Sequence, residues 1–174
     1  MSKPESLISE PSLNKMTELA LLTPRGCLVE IGVYKGGSAW YLQEVARKQK
    51  RRLHLFDTFT GIPRAGEYDS HKVGDFADTD LSTVRKFIPD AEFHVGIFPN
   101  TLNFWHENIA FAHIDCDQYQ TVRDCFAYLL PWLVRGGIMW FDDYTNLPGV
   151  TRAIKECWSD QLYTFASQCY LVKS

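Results

Sequence analysis

Two continuous apolar runs in the second half of the chain flank one amphipathic stretch. Residues 109–115 read IAFAHID and residues 138–141 read IMWF. Between them Val122, Phe126, Leu129, Leu130 and Leu133 recur at the spacing of one helix face. The pattern predicts a buried strand, a helix over residues 121–133 stopped by Gly136 and Gly137, and a second buried strand. Both strands run into acids, Asp115 and Asp117 after the first, Asp142 and Asp143 after the second. A right-handed strand–helix–strand unit lays its strands parallel, so the four carboxylates gather at one carboxyl edge. That edge is where open α/β sheets bind ligands.

The rest of the chain extends this unit. Residues 1–12 carry Pro4 and Pro11 among polar positions and read as a loose arm. Residues 13–22 form an amphipathic helix with Met16, Leu19, Ala20 and Leu22 inward, suited to cover a flank of the sheet or a dimer seam. CLVEI (27–31) is a central strand, followed by a glycine turn (32–38) and a helix over 38–49. RLHLF (52–56) is the second strand and ends at Asp57. Residues 58–79 lack periodicity, which marks a lid or substrate loop. A helix over 81–87, a strand over 92–95, a helical turn over 101–105 and a helix over 150–158 follow. Two short apolar runs, 162–166 and 169–172, then close the chain as an antiparallel hairpin. Five strand–helix units plus this hairpin predict one α/β domain over residues 1–174.

Composition narrows the function. At 174 residues with 45% apolar content the chain suits a single globular domain. A net charge of −3 argues against a nucleic-acid partner held through phosphates. The one basic run, residues 47–52, falls at a helix C-terminus, where cations are favoured. Five cysteines without CxxC spacing suggest neither a disulfide framework nor a zinc site. No apolar run reaches the ~18 residues of a membrane span and no signal pattern opens the chain, so the expected location is cytoplasmic.

Candidate chemistry sits at the strand ends. Four clustered carboxylates repel one another, and protonation, basic neighbours or a cation must relieve them. Oxygen-only ligands favour Mg2+, Mn2+ or Ca2+ over Zn2+. In the alternative reading Asp117 caps the following helix and Asp142 caps the 144–149 loop. The turn after the first strand spells ExGxxxGG, which brings backbone close to a ligand and presents the N–H groups of a helix start. Asp57 falls about 25 residues past that turn, the usual place for an acid that holds the ribose of an adenosine-containing cofactor. The candidate cofactor contacts of this turn and strand end are Gly32, Gly36, Ser38, Asp57 and Thr58. His71, in the long loop, is a candidate base or a plain surface histidine.

Six segments together resemble the macrocin O-methyltransferase family of S-adenosylmethionine-dependent enzymes: VEIGVYKGGSAWYL (29–42), LFDTFTGIP (55–63), GDF (74–76), HVGIFPNTL (94–102), FAHIDCDQYQT (111–121) and LVRGGIMWFDDY (133–144). The resemblance implies a Rossmann-like class I methyltransferase domain, a seven-stranded, mostly parallel sheet with a reversed terminal strand and helices on both faces. It places Glu30 and Gly32 by the methionine moiety of the cofactor, Asp57 on the ribose and the Gly96–Phe98 turn beside the adenine, and adds Glu30, Gly96, Phe98 and Asp115 to the candidate cofactor contacts. It further implies a Mg2+ ion held by Asp115, Asp142 and Asp143 with Asp117 adjacent, binding two oxygens of a hydroxylated small molecule such as a sugar or polyol. A hydroxyl is a poor nucleophile near neutral pH, and a bound cation lowers its pKa. Asp115 or His71 takes the proton, with Asp115 favoured because its position does not depend on a loop. Either the 58–79 loop alone covers the acceptor, or a second subunit of a homodimer completes the pocket. Two alternatives stand beside this reading, an NAD-dependent oxidoreductase and a cofactor-binding module without catalysis. The ExGxxxGG turn and the terminal hairpin speak against the first.

Overall fold

A computed structural model describes residues 3–103 and 105–174. Seven strands form one sheet: β1 (Cys27–Ile31), β2 (Leu53–Asp57), β3 (Glu92–Val95), β4 (Ile109–Ile114), β5 (Leu133–Phe141), β6 (Tyr163–Phe165) and β7 (Gln168–Val172). Their order is β3-β2-β1-β4-β5-β7-β6. The pairs β1/β2, β1/β4, β2/β3 and β4/β5 are parallel, whereas β7 runs antiparallel to both β5 and β6. The order reverses between β1 and β4, the switch point at which such sheets hold ligands.

Among the described residues five α-helices cover the sheet: α1 (Glu10–Leu22), α2 (Gly37–Gln49), α3 (Leu81–Phe87), α4 (Tyr119–Leu129) and α5 (Pro148–Cys157). Alternation along the strands divides the core between two faces. Leu28, Phe111 and Trp140 pack with α1, α2 and α3 through Met16, Leu42 and Val84. Val29, Ala112 and Phe141 pack with α4 and α5 through Phe126 and Ile154. Phe56, Phe111 and Phe141 are at most 1% exposed; each such side chain contributes about 1.5–3 kcal/mol by leaving water. Among the described residues no helix is long and apolar enough to cross a membrane.

Several boundaries differ from the sequence pattern, each for a local reason. Helix α1 starts at Glu10 rather than Leu13, because Ser9 caps it by accepting from the Ser12 N–H at 3.4 Å and Pro11 suits its first turn. Helix α4 ends at Leu129, before Pro131, whose ring opposes helix continuation, and a 3-10 turn over Leu130–Trp132 follows. Gly136 and Gly137 therefore do not stop a helix. They lie within β5, where the Gly136 N–H donates to the Lys173 carbonyl at 2.7 Å and the Lys173 N–H returns a bond to Gly137 at 2.9 Å. The turn expected over 101–105 includes residue 104, outside the described residues, as are residues 1 and 2 of the arm.

Helix α3 is capped by Asp80, whose carboxylate accepts from the Thr83 N–H at 2.7 Å and from the Ser82 hydroxyl at 2.6 Å. These bonds, Ser82 first, hold its acid at about 2, below the ordinary carboxylate value of 3.8. Asp80→Ala is expected to lower the denaturant midpoint at pH 6. A depressed acid contributes stability that is full above the unfolded pKa, so the gap between the two proteins closes as pH falls from 3.8 towards about 2.

Candidate active site

The end of β1 meets the end of β4 so closely that only a glycine fits. A Cβ on Gly32, at φ +88°, would lie 1.9 Å from the Asp115 carbonyl oxygen. That approach follows from the sheet ladder, in which the Asp115 N–H donates to Ile31 at 2.8 Å and the Gly32 N–H to Phe56 at 2.9 Å.

Asp57, at the end of β2, is tied to the glycine turn. Its Oδ2 accepts from the Val33 and Tyr34 N–H groups at 2.6 and 2.9 Å, and its Oδ1 from Phe59 at 2.7 Å. A carboxylate offers about four acceptor sites, so one remains, on Oδ1, for a ligand hydroxyl. Beneath the turn lies Glu30, fully buried, with Oε1 accepting from the Ser38 hydroxyl at 2.5 Å and lying 2.7 Å from His113 Nδ1. Its other oxygen, Oε2, and His113 Nε2 are buried without a protein partner.

The four acids converge as the topology requires. Asp115, Asp117 and Asp143 each bring a carboxylate oxygen within 4.8 Å of the others, and Asp142 joins Asp115 and His113 in an equally tight group. Burial first, then the charges of Asp142, Asp117 and Asp143, drive the Asp115 acid well above its ordinary value. Burial and Asp143 raise Asp117 to about 6, with His71 pulling the other way. Burial raises Asp143 against the opposing bond from Asn146. Neither of the capping roles weighed for these acids is realised. The Tyr119 N–H at the start of α4 donates to Asp69 at 2.7 Å, and Asp142 Oδ1 instead accepts from Gln168 at 2.5 Å and the Asp143 N–H at 3.0 Å.

The long loop folds over this edge and is pinned by its own bonds. The Ile62 N–H donates to Asp75 at 2.9 Å, the Gly74 N–H to Ile62 at 3.0 Å, and the Gln118 amide to the Arg64 carbonyl. His71 thereby reaches the acids. A cavity of about 440 Å3 opens between loop, turn and strand ends, lined by Gly32, Ser38, Asp57, Thr58, Gly96 and Phe98. Asp115, Asp117, Asp142, Asp143 and His71 line it as well. Of the residues singled out from sequence, Glu30 and Gly36 do not line it. Glu30 lies beneath the wall, and Gly36 is the left-handed N-cap of α2, with its Cα facing Val84.

Residues that the sequence did not flag also shape the site. Gln168 joins Asp142 to the Ser12 hydroxyl at 2.9 Å, and Asn146 holds Asp143 at 2.8 Å. Glu5, Ser6 and Leu7 of the arm line the cavity, and Lys35 ties Glu5 (3.1 Å) to Asp78 (2.9 Å) at the far end of the loop. A polar arm ahead of a helix carries no periodic signal, and a lone Gln or Asn carries no motif.

The donor set suits a hard divalent cation. Its cavity-face donors are carboxylates whose oxygens already converge, with the imidazoles of His71 and buried His113 beside them. The turn suits a nucleoside, since Asp57 and the first residues of α2, Gly37 and Ser38, line the same cavity.

A family model described as a methyltransferase domain matches residues 29–144, more than half of the chain. The chain belongs to this methyltransferase family. The matched span contains every residue of the turn, the acid cluster and the loop. A relative from Streptomyces olivaceus, 8-demethyl-8-(2,3-dimethoxy-alpha-L-rhamnosyl)-tetracenomycin-C 4'-O-methyltransferase, is 32% identical over 139 residues, covering 68% of this chain and 53% of the relative. Demethyldecarbamoylnovobiocin O-methyltransferase from Streptomyces niveus is 27% identical over 150 residues, covering 75% and 57%. The chain thus spans a little over half the length of these curated relatives. The solved structure of the O-methyltransferase NovP superposes with a TM-score of 0.83 at 23% identity, covering 97% of this chain and 82% of that one. The fold of this methyltransferase domain is accordingly the class I arrangement, with the reversed β7 inserted beside β5.

Proposed function

We propose that the chain is an S-adenosylmethionine-dependent O-methyltransferase acting on a hydroxyl of a small molecule such as a sugar or polyol, with a divalent cation, Mg2+ in the first instance, at its acid cluster. One observation carries the reading: a nucleoside-type turn and four convergent carboxylates share one cavity. Membership of the methyltransferase family supports the cofactor, and the rhamnosyl-bearing substrate in the name of the S. olivaceus relative supports the acceptor class.

In this reading the cofactor supplies a methyl on positive sulfur and the cation lowers the pKa of the acceptor hydroxyl. The protein supplies placement. Asp57 Oδ1 takes one ribose hydroxyl while its other bonds hold the turn in shape. Gly32 lets the cofactor's amino-acid end lie against the β1–β4 junction, with Ser38 and buried Glu30 behind it. Gly96 and Phe98 border the adenine. Asp115, Asp142 and Asp143 hold the cation, with Asp117 beside them.

Of the two candidate proton acceptors, His71 is now favoured over Asp115. A carboxylate holding a cation has its lone pairs engaged, whereas His71, its Nδ1 3.5 Å from Asp75, stands close enough to Asp117 and Asp143 for charge to act between them, on a loop fixed by internal bonds. His71→Gln is expected to lower kcat by roughly 100-fold with S-adenosylhomocysteine affinity unchanged. Single-turnover methyl transfer and calorimetry check the two halves of that statement.

The test of the whole reading is calorimetric titration with S-adenosylhomocysteine, in EDTA and in Mg2+, followed by a panel of sugars and catechols. Cofactor binding in both conditions, with acceptor binding confined to Mg2+, is expected. Binding of a nicotinamide cofactor in its place would return the reading to an oxidoreductase, and cofactor binding without transfer to any acceptor would leave a non-catalytic module.

A further inference from the structure

We propose that the end of the sheet opposite the active site carries a second metal site, for a zinc-class ion, formed by Cys27 Sγ, His54 Nε2 and one carboxylate oxygen of Glu107. The three ligands come from the first residue of β1, the second residue of β2 and the segment leading into β4. They meet because Val29 pairs with His54 and Cys27 with Ile109 in the parallel ladder. Cys27 and Ile31 stand at opposite ends of β1, roughly 13 Å apart at 3.3 Å per residue. The site therefore shares no ligand with the acid cluster.

Three ligand atoms lie within 4.8 Å of one another at this place. Ligands of a tetrahedral zinc ion with bonds of about 2.0–2.3 Å lie some 3.5 Å apart, so closure needs about an ångström of side-chain adjustment. An independent observation points to a ligand here. His54 is 2% exposed, yet its Nε2 has no hydrogen-bond partner, the Glu107 oxygen standing off at 3.4 Å. A buried, unpartnered ring nitrogen is costly and calls for an occupant.

The surroundings match what a metal-bound histidine requires. Its other nitrogen, Nδ1, lies 3.1 Å from His94 Nε2, and the His94 ring is stacked on Phe56 with centroids 4.2 Å apart. With Nδ1–H donating to His94, Nε2 carries the lone pair that faces Cys27 and Glu107. Arg52 holds the outer Glu107 oxygen at 2.9 Å, leaving the inner one for the ion, and Trp105 Nε1 donates to the Glu107 carbonyl at 2.8 Å. Sulfur, imidazole and a single carboxylate oxygen form a mixed soft and borderline set that suits zinc over magnesium. Binding displaces the Cys27 thiol proton to solvent, and thiolate plus carboxylate then balance the two positive charges. A groove bordered by Cys27, Glu107 and the basic side chains Arg25, Lys50, Arg51 and Arg52 adjoins the site.

Titration of the full chain with Co2+ tests the site, since a thiolate-to-cobalt charge-transfer band reports sulfur ligation and the carboxylate cluster cannot produce one. One equivalent is expected to give that band with the visible bands of tetrahedral cobalt, both erased by Zn2+. Cys27→Ser should abolish the band, Cys116→Ser, beside the acid cluster, should keep it, and His94→Phe should weaken binding by about 10–100-fold. Should the Cys27 variant fail to fold, Glu107→Gln is read the same way and must weaken binding by at least about 10-fold. Absence of the band in the wild type, its survival in Cys27→Ser, or its loss in Cys116→Ser overturns the proposal, as does unchanged affinity in Glu107→Gln.

Discussion

Replacing Asp142 and Asp143 together by asparagine is expected to lower methyl transfer by about 100-fold or more while leaving S-adenosylhomocysteine affinity nearly unchanged. Asp57 and the glycine turn are held by the Val33, Tyr34 and Phe59 N–H groups and not by these two acids, so the cofactor end should not sense their loss. Their positions are set by neighbours that do not titrate: Gln168 and the Asp143 N–H on Asp142, Asn146 on Asp143. Asn at these positions keeps the shape and removes the charge. The same logic gives the opposite sign for stability. The Asp115 acid is driven well up by burial and by its three acidic neighbours, so without a cation the cluster opposes folding. Asp115→Asn is expected to melt above the wild type in EDTA, and Mg2+ should raise the wild type while leaving the variant behind. Transfer that survives the double substitution, with a verified acceptor, would remove the cation from the reading.

The acid cluster was legible because parallel strand–helix–strand geometry is nearly invariant, so two strand ends far apart in sequence could be placed side by side. The hairpin made the reversed end of the sheet legible too, whereas the order of the strands appears only in the structure. The apolar pattern runs past the end of α4, because apolar positions continue at helical spacing through Leu130 and Leu133 and do not distinguish a helix from the strand that follows it. Pro131 was the overriding signal. The sequence leaves a turn-forming and a ligand-facing Asp57 both open, since an acid at a strand end looks alike whether it faces a ligand or three backbone N–H groups. Residues acting through others, Gln168 on Asp142 and Asp69 on α4, stayed invisible because each depends on a contact between segments distant along the chain. The Cys27, His54 and Glu107 group escaped for the same reason: cysteine spacing detects ligands that share a loop, and these come from three separate segments.

Gly32→Ala should destabilise the protein by roughly 3 kcal/mol or more, and Gly74→Ala by only about 1–2 kcal/mol. The two glycines share nearly the same backbone, φ +88° and +89°, so the left-handed strain of an alanine is common to both. They differ in space. A Cβ at Gly74 meets nothing within 4 Å, whereas at Gly32 it would fall 1.9 Å from the Asp115 oxygen and 2.7 Å from its carbonyl carbon. Neither atom is the movable end of a side chain, so β1 and β4 must part at their carboxyl ends, straining the Asp115 to Ile31 bond. That displacement moves Asp115 and the glycine turn together, so the surviving folded fraction should bind both S-adenosylhomocysteine and Mg2+ weakly, whereas Gly74→Ala should bind both normally. Denaturant midpoints for the two variants, read beside their calorimetric affinities, separate contact from conformation. Equal losses at the two positions would mean that backbone strain alone sets the cost, and that the contact between β1 and Asp115 does not fix the geometry of the site.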